Sequence, residues 1–459
     1  MTPKQQFEIL IQSPNLTLET RILRLKSLKS TIKKSQDKII TALNQDYGRR
    51  SEAETRIAEI MICLAEISHT LSHIKQWAKA QTKSAGAKFL FSKNAIIPQP
   101  LGVVGIISPW NYPFNLAIAP LVAAIAAGNK VMIKPSEVTP KTSELIANII
   151  SKVFKQTEVA VSLGELEVAQ QFSALPFKHL LFTGSTAVGK VIMQAAACNL
   201  TPVTLELGGK SPVVIDEKYN IKTAAKSIVA GKFFNAGQTC IAPDYILVNK
   251  KQQADLIKAI KNEIKLCFSD PINNIDYTAI INTHHFNRLK QLAKDSALSN
   301  ECIWPEGEMK DDKLNIFPPL LIINPAPDSG IMQNEIFGPI LPIISVDSNE
   351  DAINYINSRS NPLTLYVFSN QSKFIKNMID NTLSGSIAIN ETLVQFAQDG
   401  IPFGGVGESG MGSYHGENGF SSFSHYKSVY FQSRINFNAM ARAPFTNFKN
   451  KIVKLLSTI

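Results

Sequence analysis

Short apolar segments alternate with helical segments between residues 101 and 206, and this alternation constrains the fold more than any other feature of the sequence. The apolar segments are LGVVGIIS, KVMIK, VAVSL, HLLFTG and PVTLEL. Continuously apolar strands separated by helices indicate βαβ units and a parallel sheet covered on both faces. The region is therefore predicted to be a doubly wound α/β domain with a nucleotide-binding layout.

Helices precede this region and a second α/β region follows it. In residues 1–80, apolar positions recur three or four residues apart, as at Ile22, Leu25 and Leu28, which predicts helices. From about residue 211 to 390, the segments SPVVID, DYILVN, LPIISV, LTLYVF and GSIAIN are candidate strands of a separate domain. Residues 81–100 lack helical periodicity, and their β-type residues suggest an excursion such as a hairpin.

Composition excludes several classes of protein. At roughly 150 residues per domain, 459 residues indicate two or three domains, and 44% hydrophobic residues exclude wholesale disorder. Five unclustered cysteines argue against a disulfide framework and against zinc-binding CxxC pairs, so a reducing compartment is expected. The N-terminus lacks a signal-peptide core. The longest apolar run, Leu116 to Ala127, has about 12 residues where a membrane span needs about 20.

The net charge of +10 is concentrated near the C-terminus. From Asn418 to Ile459 the chain carries six cations and no acid. Apolar residues recur there at helical spacing, at Phe445, Phe448, Ile452, Leu455, Leu456 and Ile459, with lysines between them. Such a basic amphipathic helix can lie on an anionic membrane surface, or it can dock on its own subunit or a dimer partner. No basic–aromatic module appears, so no nucleic-acid partner is expected.

Two segments match nucleotide-binding patterns only superficially. Gly405 to Gly410 fits GxGxxG but follows Pro402-Phe403 and lacks a βαβ unit behind it, so a flexible or tightly turned loop is the better interpretation. Gly184 to Lys190 resembles a Walker A loop, yet Val191 stands where a hydroxyl should hold magnesium. Neither a conventional dinucleotide fingerprint nor a nucleotide triphosphatase is predicted.

Other polar residues follow predicted strands, where ligands of open α/β sheets bind. Gly184 and Ser185 lie at a helix N-terminus, whose unpaired N–H groups suit a pyrophosphate. Lys134 ends KVMIK and Glu137 follows it, and both could contact ribose hydroxyls, although a solvent-exposed strand end stopped by proline explains them as well.

One cysteine lies in a setting that differs from the others. Cys240 follows a helical stretch in FNAGQTCIAP, among small and polar residues, whereas Cys63 and Cys198 lie in apolar helical patterns. A buried, inert thiol remains the alternative for any lone cysteine. A nucleophile needs an oxyanion donor and a base; Asn111 in PWNYP and Glu206 in LELGGKSP follow other strands and supply candidates for each.

The histidines do not form a metal site. His69 and His73 share a helical face, but no HExxH pattern and no third ligand accompanies them, so packing is favoured. The other histidines are isolated from cysteine or acidic clusters. No catalytic metal is predicted.

Seven segments, in this order, closely resemble the aldehyde dehydrogenase superfamily. They are PWNYP at 109–113, KPSE at 134–137, FTGSTAVG at 182–189, LELGGKSP at 205–212, FNAGQTC at 234–240, EIFGP at 335–339 and PFGG at 402–405. The resemblance covers nearly the whole chain. The ending FGGVGESGMGSYHG is similar to the class 3 branch, and the runs around Glu206 and Cys240 are most similar to coniferyl aldehyde dehydrogenases.

Carried over position by position, the resemblance makes Cys240 the nucleophile that forms a thiohemiacetal and then a thioester. Asn111 and the Cys240 N–H would hold the oxyanion, and Glu206 would be the base for hydrolysis. It also assigns cofactor residues: Lys134 and Glu137 to the adenosine ribose, Gly184 and Ser185 to the pyrophosphate turn, and Glu335 and Phe337 to the nicotinamide ribose and ring.

The resemblance implies a Rossmann-type NAD(P)-binding domain at 1–80 and 101–206 and a second α/β, catalytic domain at 207–395. A small β bridging region, at 81–100 and 396–459, would pair subunits into a homodimer and carry the C-terminal tail. Occupancy of the Glu206 position implies a non-acylating enzyme. Glu137 favours NAD, with NADP possible. The expected substrate is an aromatic aldehyde such as coniferaldehyde, or a medium- to long-chain aliphatic one, and the expected location is the cytoplasm.

Overall fold

The computed structural model describes residues 1–85, 89, 92–297, 303–304, 314–434 and 442–457. Within these residues the strands form three sheets, of six, seven and three strands. The two larger sheets belong to the two predicted α/β regions. The predicted fold class is therefore confirmed.

The first 80 residues are helical, as their periodicity predicts. The helices are α1 (Pro3–Ile11), α2 (Leu18–Lys34), α3 (Gln36–Tyr47), α4 (Glu52–Thr55) and α5 (Ile62–Trp77). A π-helical turn, Arg56–Met61, joins α4 to α5. In the described part of the chain, Glu52–Trp77 is one helix whose length and composition would allow it to cross a membrane. Its buried Glu59, Cys63 and Ile67 pack inside the protein, in the manner of a core helix.

The first sheet is parallel except at one edge. Two strands of another sheet, β1 (Gln81–Lys83) and β2 (Lys93–Pro100), precede it in the chain. The elements of the first sheet are then β3 (Val103–Ile107), α6 (Asn115–Ala127), β4 (Lys130–Lys134), α7 (Pro140–Val153), β5 (Val159–Val161), α8 (Leu166–Ser173), β6 (Leu180–Thr183), α9 (Thr186–Ala197) and β7 (Val203–Glu206). Each of the five apolar segments predicted to be strands contains one of these strands. The spatial order from β7 onward is β7-β6-β3-β4-β5.

Side chains of successive residues in these strands point to opposite faces of the sheet. Val104 and Ile106 pack with α2, α5, α6 and α7, whereas Val103 and Ile107 pack with α1, α8 and α9. The helix α6 is buried on every side and ends at Gly128, whose φ of 96° lies in the left-handed region. Helices on both faces are what a doubly wound sheet requires.

The second sheet is built from the later α/β region. Its elements are β8 (Pro212–Ile215), α10 (Ile221–Phe233), β9 (Tyr245–Asn249), α11 (Gln253–Cys267), α12 (Thr283–Ala297), β10 (Ile303–Trp304), β11 (Leu320–Ile323), α13 (Gly330–Gln333), β12 (Ile340–Val346), α14 (Asn349–Asn357), β13 (Thr364–Phe368), α15 (Ser372–Asn381) and β14 (Ser386–Ile389). The strand order is β10-β11-β12-β9-β8-β13-β14, and β10 alone among these is antiparallel. The sequence patterns missed β11, because Pro318, Pro319 and Pro325 bracket its four apolar residues.

The remaining elements are β15 (Gly410–Met411), α16 (Gly416–Ser422), β16 (Ser424–Phe431) and α17 (Asn447–Leu456). The third sheet pairs β2 antiparallel with both β1 and β16, so residues 81–100 do contain a hairpin pairing. Although β15 lies in the range predicted as bridging region, it pairs antiparallel with β7 and extends the first sheet. Gly405 to Gly410 leads into it through a tight 3-10 turn, as predicted.

The C-terminal helix is shorter than the apolar spacing predicts. It begins after Thr446, whose hydroxyl accepts a hydrogen bond from the Lys449 N–H, so Phe445 precedes it. Ile459 lies outside the described residues, as does Cys302. Phe445, Phe448 and Leu455 are exposed.

Candidate active site

The candidate residues of the first sheet lie along its carboxyl edge. Asn111 follows β3, Lys134 ends β4, Gly184 and Ser185 follow β6, and Glu206 ends β7. Adjacent parallel strands carry their carboxyl ends to the same edge, which brings these residues into one region. Cys240, in contrast, lies in a turn after α10, on the second α/β region.

The turn before Cys240 is left-handed at three successive residues. Asn235, Ala236 and Gly237 have φ values of 52°, 50° and 74°. A Cβ atom on Gly237 would stand 2.4 Å from the Gly338 carbonyl oxygen, so the close approach of EIFGP requires glycine here. The Gln238 side chain fixes the turn by donating to the carbonyl oxygens of Asn235 and Ala279, each at 3.0 Å.

Asn111 is hydrogen-bonded directly to this turn. Its side-chain Nδ2 donates to the Gln238 carbonyl oxygen at 3.1 Å. Its own carbonyl oxygen accepts from Tyr47 Oη at 2.9 Å, Arg50 Nη1 at 2.8 Å and Asn235 Nδ2 at 3.2 Å. An amide carries two N–H donors, so the second N–H of Asn111 is available to a substrate oxygen. The structure thus brings the predicted oxyanion donor and the predicted nucleophile together.

The Cys240 thiol is partly buried and lies near two carboxyl groups. Burial, together with the nearby Glu335 and Glu206 carboxyl groups, raises its pKa to about 12, against the opposing effect of the Cys240 and Ile241 N–H groups. A thiol of this kind is protonated at neutral pH. Attack on a carbonyl group therefore requires removal of the thiol proton.

The Glu206 carboxyl group is buried and receives no hydrogen bond from the described residues. Only 3% of the residue is exposed, and neither carboxyl oxygen has a hydrogen-bond partner among the described residues. Burial raises the pKa of Glu206 well above its usual value. The nearby Tyr414 hydroxyl is also buried and without a partner in the described chain. Orphaned polar atoms at one place mark a site built for a missing molecule, such as a water or a ligand.

Lys134 and Glu137 form an ion pair at the same edge. Lys134 Nζ, buried in the protein, donates to Glu137 Oε2 and to the Pro135 carbonyl oxygen, both at 2.9 Å. Burial opposes ionisation of Glu137, but the hydrogen bonds from Lys134 and from its own N–H, with the lysine charge, leave its pKa below the usual value. The carboxylate is partly exposed and can accept hydrogen bonds from ribose hydroxyls.

The glycine turn after β6 leads into a capped helix. The Ser185 side chain accepts from the Val188 N–H at 3.4 Å and caps α9. A Cβ atom on Gly184 would stand 2.5 Å from the Phe182 ring, so a larger residue here would displace that ring. The exposed N–H groups at the start of α9 offer a site for an anion.

Glu335 lies against the glycines that follow β7. A Cβ atom on Gly208 would stand 2.1 Å from Glu335 Oε2, and Oε1 is buried without a partner in the described chain. Burial and the Asp244 charge together raise the pKa of Glu335 to about 8, although the Gly209 N–H and the charges of Lys210 and Arg288 lower it. Beside it opens a cavity of about 650 Å³, lined by Thr186, Lys210, Glu335, Arg359 and others.

Two residues hold the segment that carries Glu335 and Phe337. Asp244 Oδ2 accepts from the Ile336 N–H at 3.0 Å, and Oδ1 pairs with Lys210 Nζ. The same Nζ donates to the carbonyl oxygens of Ile331 and Asn334. Phe337 has a φ of 47° and packs edge-on against Trp110, with 5.3 Å between ring centroids.

These residues fit a dinucleotide. Carboxylates that can accept from hydroxyl groups stand at Glu137 and Glu335, and the N-terminus of α9 supplies the anion site. The orphaned Glu335 Oε1 is the kind of buried acceptor that a ribose hydroxyl satisfies. No group of three His, Cys, Asp or Glu side chains suited to a metal occurs within the described residues.

Sequence reasoning missed several residues of the site. Gln238 and Asp244 lie within the FNAGQTC and CIAPDY segments, but their spacing does not reveal which backbone groups they bind. Arg50 lies in the charged run YGRRSEAETR, which is indistinguishable by pattern from a solvated helix surface. His285, considered isolated, packs 4.9 Å from the Trp110 ring; burial, with the charges of Arg288 and His284, lowers its pKa to about 4.

Comparison with known proteins gives one consistent result. The profile described as the aldehyde dehydrogenase family matches residues 5–429. A probable coniferyl aldehyde dehydrogenase of Pseudomonas aeruginosa is 44% identical over 436 residues, covering 94% of this chain and 90% of the relative. Aldehyde dehydrogenase family 3 member A2 of Rattus norvegicus is 40% identical over 411 residues, covering 89% and 84%. The solved structure of Staphylococcus aureus AldH in its substrate-bound state has a TM-score of 0.93, with 39% identity and 99% coverage of both chains.

Proposed function

Because the chain belongs to the aldehyde dehydrogenase family, as its seven motifs predict, we propose that it oxidises an aromatic or medium- to long-chain aldehyde to the carboxylic acid through Cys240. The chain is an aldehyde dehydrogenase, and its similarity to family 3 and coniferyl relatives confirms the predicted branch. Such enzymes use NAD(P). The observation that carries the residue assignment is the hydrogen bond between Asn111 and the turn that presents Cys240.

In the proposed reaction, the Cys240 thiol gives its proton to water, and the resulting thiolate forms a bond to the carbonyl carbon of the aldehyde. The carbonyl oxygen becomes an oxyanion, which accepts from the free N–H of Asn111 and from the Cys240 backbone N–H. Bound NAD(P) supplies the hydride acceptor for this oxidation. A thioester on Cys240 is the result.

Glu206 completes the cycle. Its carboxylate takes a proton from a water molecule, whose oxygen attacks the thioester carbon, and the carboxylic acid leaves as the thiol reforms. A base acts best when its pKa lies near the working pH, and burial moves Glu206 upward from its usual range in that direction. Because the position holds glutamate, the proposed enzyme hydrolyses its thioester rather than passing the acyl group to coenzyme A.

The cofactor preference we propose is NAD, with NADP possible. Lys134 and Glu137 would hold the adenosine ribose, Gly184 and Ser185 the pyrophosphate, and Glu335 with Phe337 the nicotinamide side. An ionised Glu137 repels a 2′-phosphate, whereas the neighbouring Lys134 ammonium attracts one. The Glu137 carboxylate is more exposed than the Lys134 ammonium, so we expect its repulsion of a 2′-phosphate to dominate and to favour NAD.

The proposed organisation follows the sheets. Residues 1–80 and 101–206 would bind cofactor, 207–395 would carry the nucleophile, and 81–100 with 396–459 would pair two copies as a homodimer. The free cysteines fit the cytoplasm, where thiols stay reduced.

An aldehyde panel tests the proposed function. Purified enzyme is assayed with coniferaldehyde, benzaldehyde, hexanal and decanal, each with NAD and NADP, while the acid product is identified by chromatography. We expect acid and reduced cofactor in equal amounts with at least one aromatic or long-chain aldehyde. Reduced cofactor without acid, or activity restricted to the coenzyme-A-dependent reaction, would contradict hydrolysis.

A second candidate, a fatty aldehyde dehydrogenase that associates peripherally with membranes, is favoured by one observation. In α17 and just before it, Phe445, Phe448 and Leu455 are exposed beside Lys449, Lys451 and Lys454. Co-sedimentation of the full chain and of a chain ending at residue 444 with anionic and neutral vesicles tests it. Pelleting of the full chain alone, on anionic vesicles, supports the candidate; equal pelleting of both chains excludes it.

A further inference from the structure

A charged pair is buried beneath the turn that carries Asn111. Arg50 lies in the loop between α3 and α4, and Glu59 lies in the π-helical turn between α4 and α5. Arg50 Nη2 and Glu59 Oε1 are 3.3 Å apart, and both side chains are fully buried. Neither residue has a role in the proposed chemistry, so their presence in the core requires a reason.

Arg50 acts directly on the Asn111 backbone. Its Nη1 donates to the Asn111 carbonyl oxygen at 2.8 Å. Its guanidinium also lies over the rings of Tyr47 and Tyr112, 4.6 and 5.2 Å from their centroids. Since Tyr47 Oη donates to the same oxygen, Arg50 and Tyr47 together restrain this peptide.

Glu59 holds the other end of the same turn. Its Oε2 accepts from the Asn115 N–H at 2.7 Å, where α6 begins. Asn115 Nδ2 in turn donates to the Ala58 carbonyl oxygen at 3.0 Å, inside the π-helical turn. π-Helical turns occur frequently at functional sites. The turn from Asn111 to Asn115 is therefore fixed at both ends by one charged pair.

The same part of the chain also reaches the turn before Cys240. Glu54 Oε1 accepts from the Asn235 N–H at 3.0 Å, and Oε2 accepts from the Thr278 hydroxyl at 2.6 Å. Residues 47–59 thus contact both the proposed oxyanion donor and the turn that presents the proposed nucleophile. Their relative position depends on this segment.

Stability alone does not account for the pair. Burial of two charges costs free energy that their attraction often fails to recover, and apolar replacements of similar size are frequently as stable. Arg50 Nε and Nη2 and Glu59 Oε1 make no hydrogen bond within the described residues. The well-formed contacts of the pair are those to the Asn111–Asn115 turn.

We propose that Arg50, held by Glu59, is a positioning residue that orients the Asn111 amide toward the substrate oxyanion. The proposal rests on the proposed function of Asn111. Removing the pair should then weaken oxyanion stabilisation without changing the thiol or the cofactor site.

The test uses the double variant Arg50→Met/Glu59→Gln, which removes both charges but retains the approximate size of the side chains. Its control is Arg24→Met/Glu158→Gln, which removes an ion pair of 2.8 Å between α2 and the turn before β5, away from the site. Thermal unfolding establishes that each variant is folded. Alkylation of Cys240 by iodoacetamide is measured beside aldehyde oxidation, because alkylation needs a thiolate but no oxyanion.

We expect the double variant to lose about tenfold or more in kcat, with unchanged alkylation and unchanged NAD affinity, while the control keeps normal activity. Asn111→Ala should lose about 10² to 10³ in kcat, and adding the double variant to it should cost less than about twofold more. Normal kcat in the folded double variant, an equal loss in alkylation, or losses that multiply with that of Asn111→Ala would each overturn the proposal.

A milder variant keeps the test decisive if the double variant does not fold. Tyr47→Phe removes only one donor to the Asn111 carbonyl oxygen, and we expect a smaller loss in kcat that disappears in the Asn111→Ala background; persistence of that loss would count against positioning. If Asn111→Ala itself retains full activity, the proposed function of Asn111 fails, and the inference with it. If Asn111→Ala loses activity and the Arg50 and Tyr47 variants do not, the inference alone fails.

Discussion

The hydroxyl groups of Tyr112 and Thr239 lie 2.6 Å apart and share a hydrogen bond inside the protein. Tyr112 follows Asn111 on the first α/β region, and Thr239 precedes Cys240 on the second. The two proposed catalytic groups are therefore joined through their immediate chain neighbours. This contact adds to the hydrogen bonds that Asn111 makes with Gln238 and Asn235 across the same boundary.

Replacement of Cys240 should separate chemistry from binding. Cys240→Ala removes the sulfur that forms the thioester, so we expect aldehyde oxidation to fall by more than about 10³-fold while NAD affinity, measured by fluorescence titration, is retained. Cys198→Ala, which changes an exposed thiol at the end of α9, is the matched control and should be fully active. Activity in the Cys240 variant close to that of the control would remove the nucleophile assignment.

Replacement of Glu206 should stop the cycle after its first half. Glu206→Gln keeps the size of the side chain but cannot accept a proton from water, so the thioester should accumulate. Rapid mixing with NAD and aldehyde should give one equivalent of NADH per active site, followed by a rate at least about 10²-fold below normal. An undiminished steady-state rate is the result that this assignment does not allow.

The pH dependence of Cys240 reactivity follows from its surroundings. Because the thiol pKa is about 12, iodoacetamide should alkylate the cofactor-free enzyme about tenfold faster for each pH unit between 7 and 10. The pKa of Glu335 is about 8, so its charge opposes thiol ionisation mainly above that pH. Glu335→Gln should therefore accelerate alkylation above pH 8, whereas Glu408→Gln, an exposed acid lining the same cavity, should not. Equal rates for all three enzymes would refute this electrostatic coupling.

Glu66 makes the folded protein sensitive to alkaline pH. Burial, with the nearby Asp399 charge, raises its pKa to about 7, against hydrogen bonds from Gly416 and Thr70. The folded state thus holds this proton more tightly than the unfolded state. The contribution to the free energy of unfolding is complete below about pH 4.5 and is lost as the pH rises to about 7.

Glu66→Gln should accordingly gain stability relative to the natural protein on going from pH 5 to pH 8, by up to about 3 kcal/mol. Urea unfolding at the two pH values measures the difference. Glu8→Gln, an exposed acid on α1, should follow the natural protein at both. A constant offset between Glu66→Gln and the natural protein would show that this carboxyl group does not titrate in the window.

Glu137 should influence the choice of cofactor. Its removal in Glu137→Gln leaves the Lys134 ammonium without an acidic partner, and a 2′-phosphate then meets attraction instead of repulsion. We expect the ratio of kcat/KM for NADP to that for NAD to rise by about tenfold or more. Lys141→Gln/Glu144→Gln, which changes an exposed pair on α7, is the control. An unchanged ratio would place the discrimination elsewhere.

Much of the site could be predicted because strands impose simple geometry. Asn111, Lys134, Ser185 and Glu206 each follow an apolar segment, and parallel strands align their carboxyl ends whatever the details of packing. Their common edge was therefore predictable from the sequence. The helical spacing near the C-terminus predicted α17 for the same local reason, although it placed Phe445 within the helix that begins after Thr446.

The parts that escaped prediction depend on contacts between distant residues. Gln238 binds Ala279 and Asp244 binds Ile336, pairs that only the folded chain brings together. Arg50 is buried although its neighbours in sequence are charged, because the turn at Asn111 lies over it. A local sequence pattern predicts the exposure of a residue only when its sequence neighbours lie in the same environment. Arg50 and its charged neighbours do not.

The left-handed run at Asn235, Ala236 and Gly237 bears on the stage of protein synthesis at which the Cys240 site can form. A non-glycine residue in this conformation costs about 1–2 kcal/mol, and Asn235 and Ala236 are two such residues in succession. The distant Glu54 carboxyl group and the adjacent Gln238 side chain hold the run in place, and Gln238 also donates to the distant Ala279 carbonyl oxygen. A nascent chain that has passed Cys240 but has not yet produced Ala279 lacks part of this support. We therefore expect the turn that presents Cys240 to become fully ordered only after the chain has been synthesised beyond Ala279.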